Sequence, residues 1–365
     1  MTRTKITLVL NCLRSGGAEK QLLWIASEIV SSGRDCTVFE MVSGGRSERI
    51  ETMVDAAITK GVRVLRAPTK GGLLHCLLRL QNYFDETTPN LIWSWGLRSD
   101  LLCLLCRPAN KRLISVRCAV AAGTPLVSLL QWLVARCSDG VVSNTHAGLA
   151  TSGVARITGL RRWVLSNVVA SASVGEITLP QRPPGRLTLV MLGNIKIHHK
   201  GYDLAAQLVQ ILKAKGLAIE LRIAGRPDEQ AELEEIFRQF DVEGAIKLYG
   251  EAARPEEFLR EGHVFLLLSR FEGMPNTVLE ALNAGLPAIV TEVGDLRLLK
   301  EKGAPFVLIP IENVGAAAEA VEMGFTQWAD TREMAAKGRS WVQENFSEEV
   351  CRVKLRKILA EVLDA

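Results

Sequence analysis

Short apolar runs, each closed by a glycine-marked or polar loop and followed by a helical stripe, recur along the 365 residues of this chain. The runs are Lys5–Leu10, Cys36–Met41, Val62–Ala67, Leu91–Trp95, Arg112–Val116, Gly140–Ser143 and Trp163–Leu165, then Leu187–Leu192, Leu221–Ala224, Ile246–Tyr249, Val264–Leu268, Leu286–Thr291 and Pro305–Ile309. Helical periodicity marks 71–84, 125–137, 255–260, 296–302, 314–324, 331–346 and 347–363. Strand and helix in alternation predict an α/β chain with parallel sheets, because a parallel neighbour needs a crossover and the crossovers cover both faces. Residues 171–186, SASVGEITLPQRPPGR, hold three prolines and no period, and read as a connection. The expected domains are therefore 1–175 and 186–346, followed by a last helix over 347–365.

The stretch from Val264 to Asp295 carries the clearest unit. A strand ends at Ser269-Arg270-Phe271, and Glu272-Gly273-Met274 forms a turn. Pro275 suits a first helical position, where its missing N–H costs nothing. Val278, Leu279 and Leu282 make the buried stripe, and Gly285 closes the helix as a left-handed cap. The loop lies at the carboxyl end of a strand, where open α/β sheets bind ligands. The N–H groups at Asn276 and Thr277, with the helix dipole, suit an anion. Glu280 lies about 7.5 Å along the helix axis from Pro275 and leans back towards the same edge. Glu272 and Glu280 would flank the anion as acceptors, which describes a ligand with hydroxyls on both sides of a diphosphate, a nucleotide sugar.

Other strand ends add to this rim. Gly193-Asn194-Ile195-Lys196-Ile197-His198-His199-Lys200-Gly201 is a flexible loop whose Lys200 and Lys196 suit a diphosphate. Gly225-Arg226-Pro227 and Gly250-Glu251 would let a nucleobase rest against backbone. In the first half, Gly16 and Gly17 precede a helix and allow backbone N–H groups close to an anion. The dinucleotide fingerprint is absent there, which argues against a dehydrogenase. His198 and His199 are adjacent and unsuited to a shared metal by helical spacing. Cys103 and Cys106 have metal-ligand spacing without a second pair, and read as core residues.

Net charge is +4, but residues 1–175 hold 21 Lys+Arg against 11 Asp+Glu, and the remainder 23 against 29. The basic half lacks the aromatic–basic interleaving of a nucleic-acid platform, so an anionic membrane surface or a phosphate-bearing acceptor is the expected partner, and no nucleic acid. The helix over 125–137, with Trp132, reads either as buried in its domain or as lying on a bilayer. The N-terminal run reads as a strand and not a leader, and the scattered cysteines as reduced. The expected compartment is the cytoplasm, with peripheral contact at the inner membrane.

The wording EGMPNTVLEALNAGLP, with seven residues between Glu272 and Glu280, resembles the retaining glycosyltransferases of the GT4 group, and the GGAE at 16–19 resembles a loop near their start. The resemblance implies two facing Rossmann-like domains of the GT-B fold with the active site in the cleft, and a last helix that returns to the N-terminal domain. It implies Glu272 and Lys200 as catalytic residues. It implies donor contacts from Gly16, Gly17, Gly193, Asn194, Lys196, Lys200, Gly225, Arg226, Gly250, Gly273, Met274, Pro275, Asn276, Thr277 and Glu280. The family pattern G-R-x(n)-K-G-x-D has its lysine at Lys200, while Asn194 replaces its arginine. Many relatives carry a histidine where Arg117 falls; Arg117 or Arg98 either substitutes for it or, with Arg14, binds a phosphorylated acceptor.

The expected reaction moves a sugar from a UDP-hexose or UDP-N-acetylhexosamine to a lipid-linked or glycan acceptor, with retention, for surface polysaccharide synthesis. No Asp-X-Asp occurs, so no metal and no cofactor beyond the nucleotide-sugar co-substrate is expected, and helix dipole and lysine would stabilise the leaving diphosphate. A nucleotide-sugar epimerase, a phosphorylase and a non-catalytic nucleotide-sugar-binding protein are the alternatives.

Overall fold

The computed structural model describes residues 3–14, 16–43, 48–68, 72–106, 111–117, 125–151, 153–169, 177–181, 183, 185–252 and 254–364. The chain divides into two units, Met1–Asn167 with Cys351–Ala365, and Val168–Val350.

The first unit holds strands β1 (Lys5–Leu10), β2 (Asp35–Glu40), β3 (Arg63–Leu65), β4 (Leu91–Trp95), β5 (Lys111–Val116), β6 (Gly140–Ser143) and β7 (Arg161–Val164). They form one sheet in the order β3-β2-β1-β4-β5-β6-β7. Every pairing is parallel; Leu8, for instance, sits beside Val38 and Trp93. The central strands are buried throughout, because helices pack on both faces and leave no polar side. Trp93 is fully buried and its indole N–H reaches Ser115 Oγ at 2.8 Å. Glu40, buried at the end of β2, accepts from the N–H of Leu13 at 2.8 Å and of Ala67 at 3.1 Å, and so ties the loops after β1 and β3. Cys76, Cys103 and Cys106 pack in the core beside Phe39 and Phe84.

The second unit holds β8 (Leu187–Leu192), β9 (Ile219–Ala224), β10 (Ile246–Leu248), β11 (Val264–Leu267), β12 (Ala288–Thr291) and β13 (Val307–Ile309), in the order β10-β9-β8-β11-β12-β13 and parallel throughout. Chain direction across each sheet reverses once, at β1/β4 and at β8/β11. These are the switch points where loops diverge and a crevice opens.

Unit boundaries differ from the sequence reading, and the second unit runs Val168–Val350 in place of 186–346. The first unit ends at Asn167 and not at 175, because Val169 N–H bonds Phe346 O at 2.9 Å and Ile177 N–H bonds Ala284 O at 2.9 Å. The proline-rich stretch is held further by Trp328, whose indole N–H reaches Pro180 O at 2.8 Å. Residues 170–176, 182 and 184 of that stretch lie outside the described residues. Helices Glu48–Thr59, Leu97–Leu105 and Gln230–Gln239 were not anticipated. Pro275 is the cap before the helix Asn276–Ala284 and not its first residue. The helix Pro125–Arg136 buries only its Val134 and Ala135 side, while Leu126 (63%) and Leu129 (59%) stay exposed. No helix among the described residues is long and apolar enough to cross a membrane.

The helix Glu348–Leu363 places Leu355, Ile358, Leu359 and Val362 among Leu22, Leu91 and Leu165 of the first unit. Arg352 pairs with Glu28 at 2.5 Å, and Trp163 donates to Glu361 at 2.7 Å. Leu359→Ala is expected to cost about 2–5 kcal/mol of stability in urea unfolding, as emptying a packed leucine site does. A neutral effect would show that this helix is not part of the first unit's core.

Candidate functional site

In the second unit the glycine-rich loops meet at the carboxyl edge of the sheet. A Cβ on Gly225 would lie 1.8 Å from Gly193 O, so only glycine lets the ends of β8 and β9 approach this closely. Gly225 N–H bonds Gly250 O at 2.7 Å, which extends the ladder to β10. Gly201 has φ of 68°, and a Cβ there would meet Leu268 O at 2.1 Å. That contact seats the turn carrying Lys200 directly against the end of β11.

Lys200 Nζ and Glu272 Oε1 form an ion pair at 2.5 Å, and Ser269 Oγ donates to the same carboxylate oxygen at 2.9 Å. The two residues come from β8's loop and β11's loop, across the switch point. His199 stacks on Phe271 with centroids 4.0 Å apart, and its Nε2–H donates to Phe271 O at 2.8 Å. Burial and the neighbouring Lys200 lower the His199 pKa, so the ring is neutral at pH 7. Tyr202 OH donates to Gly193 O at 2.7 Å and holds the start of the same loop.

Arg270 fastens this arrangement. It binds both oxygens of Asp203, at 2.9 and 2.7 Å, reaches His198 O at 2.7 Å and pairs with Glu312 at 2.6 Å. The Asp203 bonds raise its pKa beyond the ordinary arginine value, so it is a permanent cation. Sequence reasoning noted Arg270 only as a strand end. Its partner, the acid two residues after Gly201, was the available signal.

Other residues are placed as follows. Asn194 is exposed after β8. Lys196 is taken up by Glu229 at 3.1 Å and Asp228 at 3.8 Å, and not by the Lys200–Glu272 pair. Arg226 grips Asp228 through two bonds, at 2.7 and 3.0 Å. Gly273, Met274 and Pro275 are buried, while Asn276, Thr277 and Glu280 are half-buried on the first two turns of their helix.

Gly16 and Gly17 belong to the first unit, at the start of the helix Gly17–Ser31; Arg14 is exposed beside them. Arg98 is exposed on the helix Leu97–Leu105. Arg117, directly after β5, stacks over Trp95 at 3.8 Å and makes one long bond to Asn167 Oδ1 at 3.4 Å. Its Nε and Nη2 are buried without an acceptor. Burial pushes its pKa down to about 9, so it stays charged at neutral pH. Beside it is a cavity of about 340 Å³ lined by Gly96, Leu97, Asp100, Gln131 and Val154 as well as Arg117.

Residues 186–325 match the family described as glycosyl transferases group 1. That match takes in less than half of the chain. Lys200, Arg270, Glu272 and Glu280 fall inside it, and Arg117 outside. A protein named amylovoran biosynthesis glycosyltransferase AmsK, from Erwinia amylovora, is 30% identical over 169 residues, 44% of this chain and 41% of that one. The chain thus spans less than half the length of that relative. Among solved structures, Anabaena Alr3699/HepE in complex with UDP and glucose superposes with a TM-score of 0.79 at 16% identity, covering all of both chains. Sucrose-phosphate synthase from Thermosynechococcus elongatus does so with a TM-score of 0.79 at 15% identity over 99% of this chain and 100% of that one. The fold is GT-B.

Asp100 gives the first unit a measurable pH signature. Burial pushes its pKa up to about 7, although a 2.6 Å bond from Ser94 favours the carboxylate. The unfolded value is about 3.9, so the folded state binds the extra proton between the two values. Its contribution to stability is full at acid pH and is lost as pH rises through about 7. Asp100→Asn keeps an acceptor for Ser94 and is expected to raise the melting temperature more at pH 8 than at pH 5. Equal shifts at the two pH values would contradict the assignment.

Proposed function

We propose that this chain transfers a sugar from a nucleotide-sugar donor to a glycan or lipid-linked acceptor in polysaccharide biosynthesis. The observation that carries the reading is the Lys200–Glu272 pair at the switch point of the second sheet, within the residues that match glycosyl transferases group 1 and next to the start of the helix Asn276–Ala284. An arriving diphosphate offers Lys200 a doubly charged partner. Glu272, held by Ser269, then faces the ligand as an acceptor for sugar hydroxyls. Glu280, half-buried one turn on, suits the ribose.

In the reaction, an acceptor hydroxyl oxygen bonds the anomeric carbon as the bond to the diphosphate breaks. Charge builds on the leaving oxygen, which takes up the acceptor's proton. Lys200 and the helix N–H groups at Asn276 and Thr277 stabilise that charge, so the step needs no metal. The donor is read as a UDP-hexose or UDP-N-acetylhexosamine, in keeping with the UDP and glucose held by the Anabaena protein. Retention of anomeric configuration follows from the GT4 resemblance. The exposed Leu126, Leu129 and Trp132, in the half with the positive charge balance, favour peripheral contact with an anionic membrane.

Lys200→Ala is expected to weaken nucleoside diphosphate binding by about 1.5–3 kcal/mol in calorimetry, the loss of one charged hydrogen bond. Glu272→Gln is expected to act oppositely on binding: it releases Lys200 and removes a charge that repels the phosphates, so diphosphate affinity holds or rises while sugar transfer falls. Loss of affinity in both variants would refute the division of roles. Transfer abolished by a chelator would refute the metal-independent step.

A further inference from the structure

Among the described residues, seven side-chain nitrogen or oxygen atoms are buried without a hydrogen-bond partner. Five of them lie at the carboxyl ends of four adjacent strands of the first sheet. They are Asn11 Oδ1 after β1, Trp95 Nε1 on β4, Arg117 Nε and Nη2 after β5, and Asn144 Oδ1 after β6. Chance placement does not explain one rim that collects both orphan donors and orphan acceptors. Each such atom is costly if nothing ever satisfies it, a charged one most of all.

Other arginines of this unit show what a structural role looks like. Arg79 spends its N–H groups on the carbonyls of Glu40, Leu65 and Arg66. Arg162 does the same on Val154, Ala155 and Ile157. Arg117 instead lies over the Trp95 ring, keeps one 3.4 Å bond, and pairs with no carboxylate among the described residues. The adjoining cavity of about 340 Å³ falls in the range of about 300–1,000 Å³ that holds small molecules. Its walls combine Leu97 and Val154 with the polar Gln131 and Asp100.

We propose that this rim is a sugar site selective for an anionic sugar, one bearing a carboxylate or a phosphate monoester, whose charge Arg117 takes. The guanidinium turns off Asn167 and forms a two-bond pair with the anion while Trp95 supports its face. Asn11 and Asn144 accept from ring hydroxyls, and the Trp95 N–H donates to one. The inference rests on the glycosyltransferase reading only in taking this sugar to be the acceptor. Arg117 is a binding residue here.

The test is calorimetry or saturation-transfer NMR on the full chain with glucuronate, glucose 6-phosphate, glucose and inorganic phosphate. At least one charged sugar is expected to bind about tenfold or more tightly than glucose and than inorganic phosphate. Which of the two charged sugars does so distinguishes the carboxylate source from the phosphate source. The preference should vanish in Arg117→Gln and survive in part in Arg117→Lys, with both variants melting cooperatively. Equal binding of glucose and both charged sugars, inorganic phosphate binding as tightly as either, or a preference kept in Arg117→Gln would each overturn the proposal. Nucleoside diphosphate titrated into the same samples reports on the second unit separately. Its failure to bind wild-type protein would sink the donor reading and leave this one standing.

Discussion

Parallel pairing in every strand of both sheets is the constraint on which the rest depends. It sends all carboxyl ends of a sheet to one edge, so loops far apart in sequence become neighbours. At β8 and β11 the two flanking connections leave in opposite directions, and the loops at 193–201 and 269–275 face each other across the opening. The Lys200–Glu272 pair is the product of that topology, since the two residues are 72 apart in sequence. Glycine makes the approach feasible. Side chains at 201 and 225 would collide with backbone carbonyls of the facing loops.

The pair also defines how the site is poised. Glu272 is only 12% exposed at its side chain and Lys200 22%, so neither charge is well hydrated, and each depends on the other. A ligand that offers an anion to Lys200 and hydroxyls to Glu272 satisfies both at once. A bare anion satisfies one and strands the other. This coupling favours substrates that carry both features over simple phosphates. Arg270, through Asp203 and the His198 carbonyl, fastens the turn that carries Lys200.

Much of this was legible in the sequence. All thirteen strands among the described residues were located as short apolar runs with a glycine or polar break behind them; the central ones are buried on both faces, while the edge strands β3, β7, β10 and β13 are only partly buried. The loops at 193–201 and 272–280 stood out by composition. What composition could not give was pairing. Lys196 looked as available as Lys200, but Glu229 and Asp228 lie where they neutralise it. Arg270 looked like a strand end, because its partner Asp203 is reached only through the fold. Helices Glu48–Thr59 and Gln230–Gln239 carry short apolar stripes, Ile50, Met53, Val54 and Ala57 in the first and Leu233, Ile236 and Phe237 in the second, that charged residues on the other faces obscured. Leu97–Leu105 was missed because apolar residues surround it on too many sides. Arg117 was singled out by position, yet its stacking on Trp95 and its unpaired N–H groups show only in the fold.

The central claim is that a nucleotide sugar binds at the carboxyl edge of the second sheet by drawing Lys200 away from Glu272. A crystal structure of this chain with a bound, non-transferable nucleotide sugar tests it most directly. The account predicts the diphosphate at the start of the helix Asn276–Ala284, Lys200 Nζ bonded to it, and Glu272 turned to the sugar. A diphosphate bound elsewhere, or one bound there with the Lys200–Glu272 pair still closed, would contradict it.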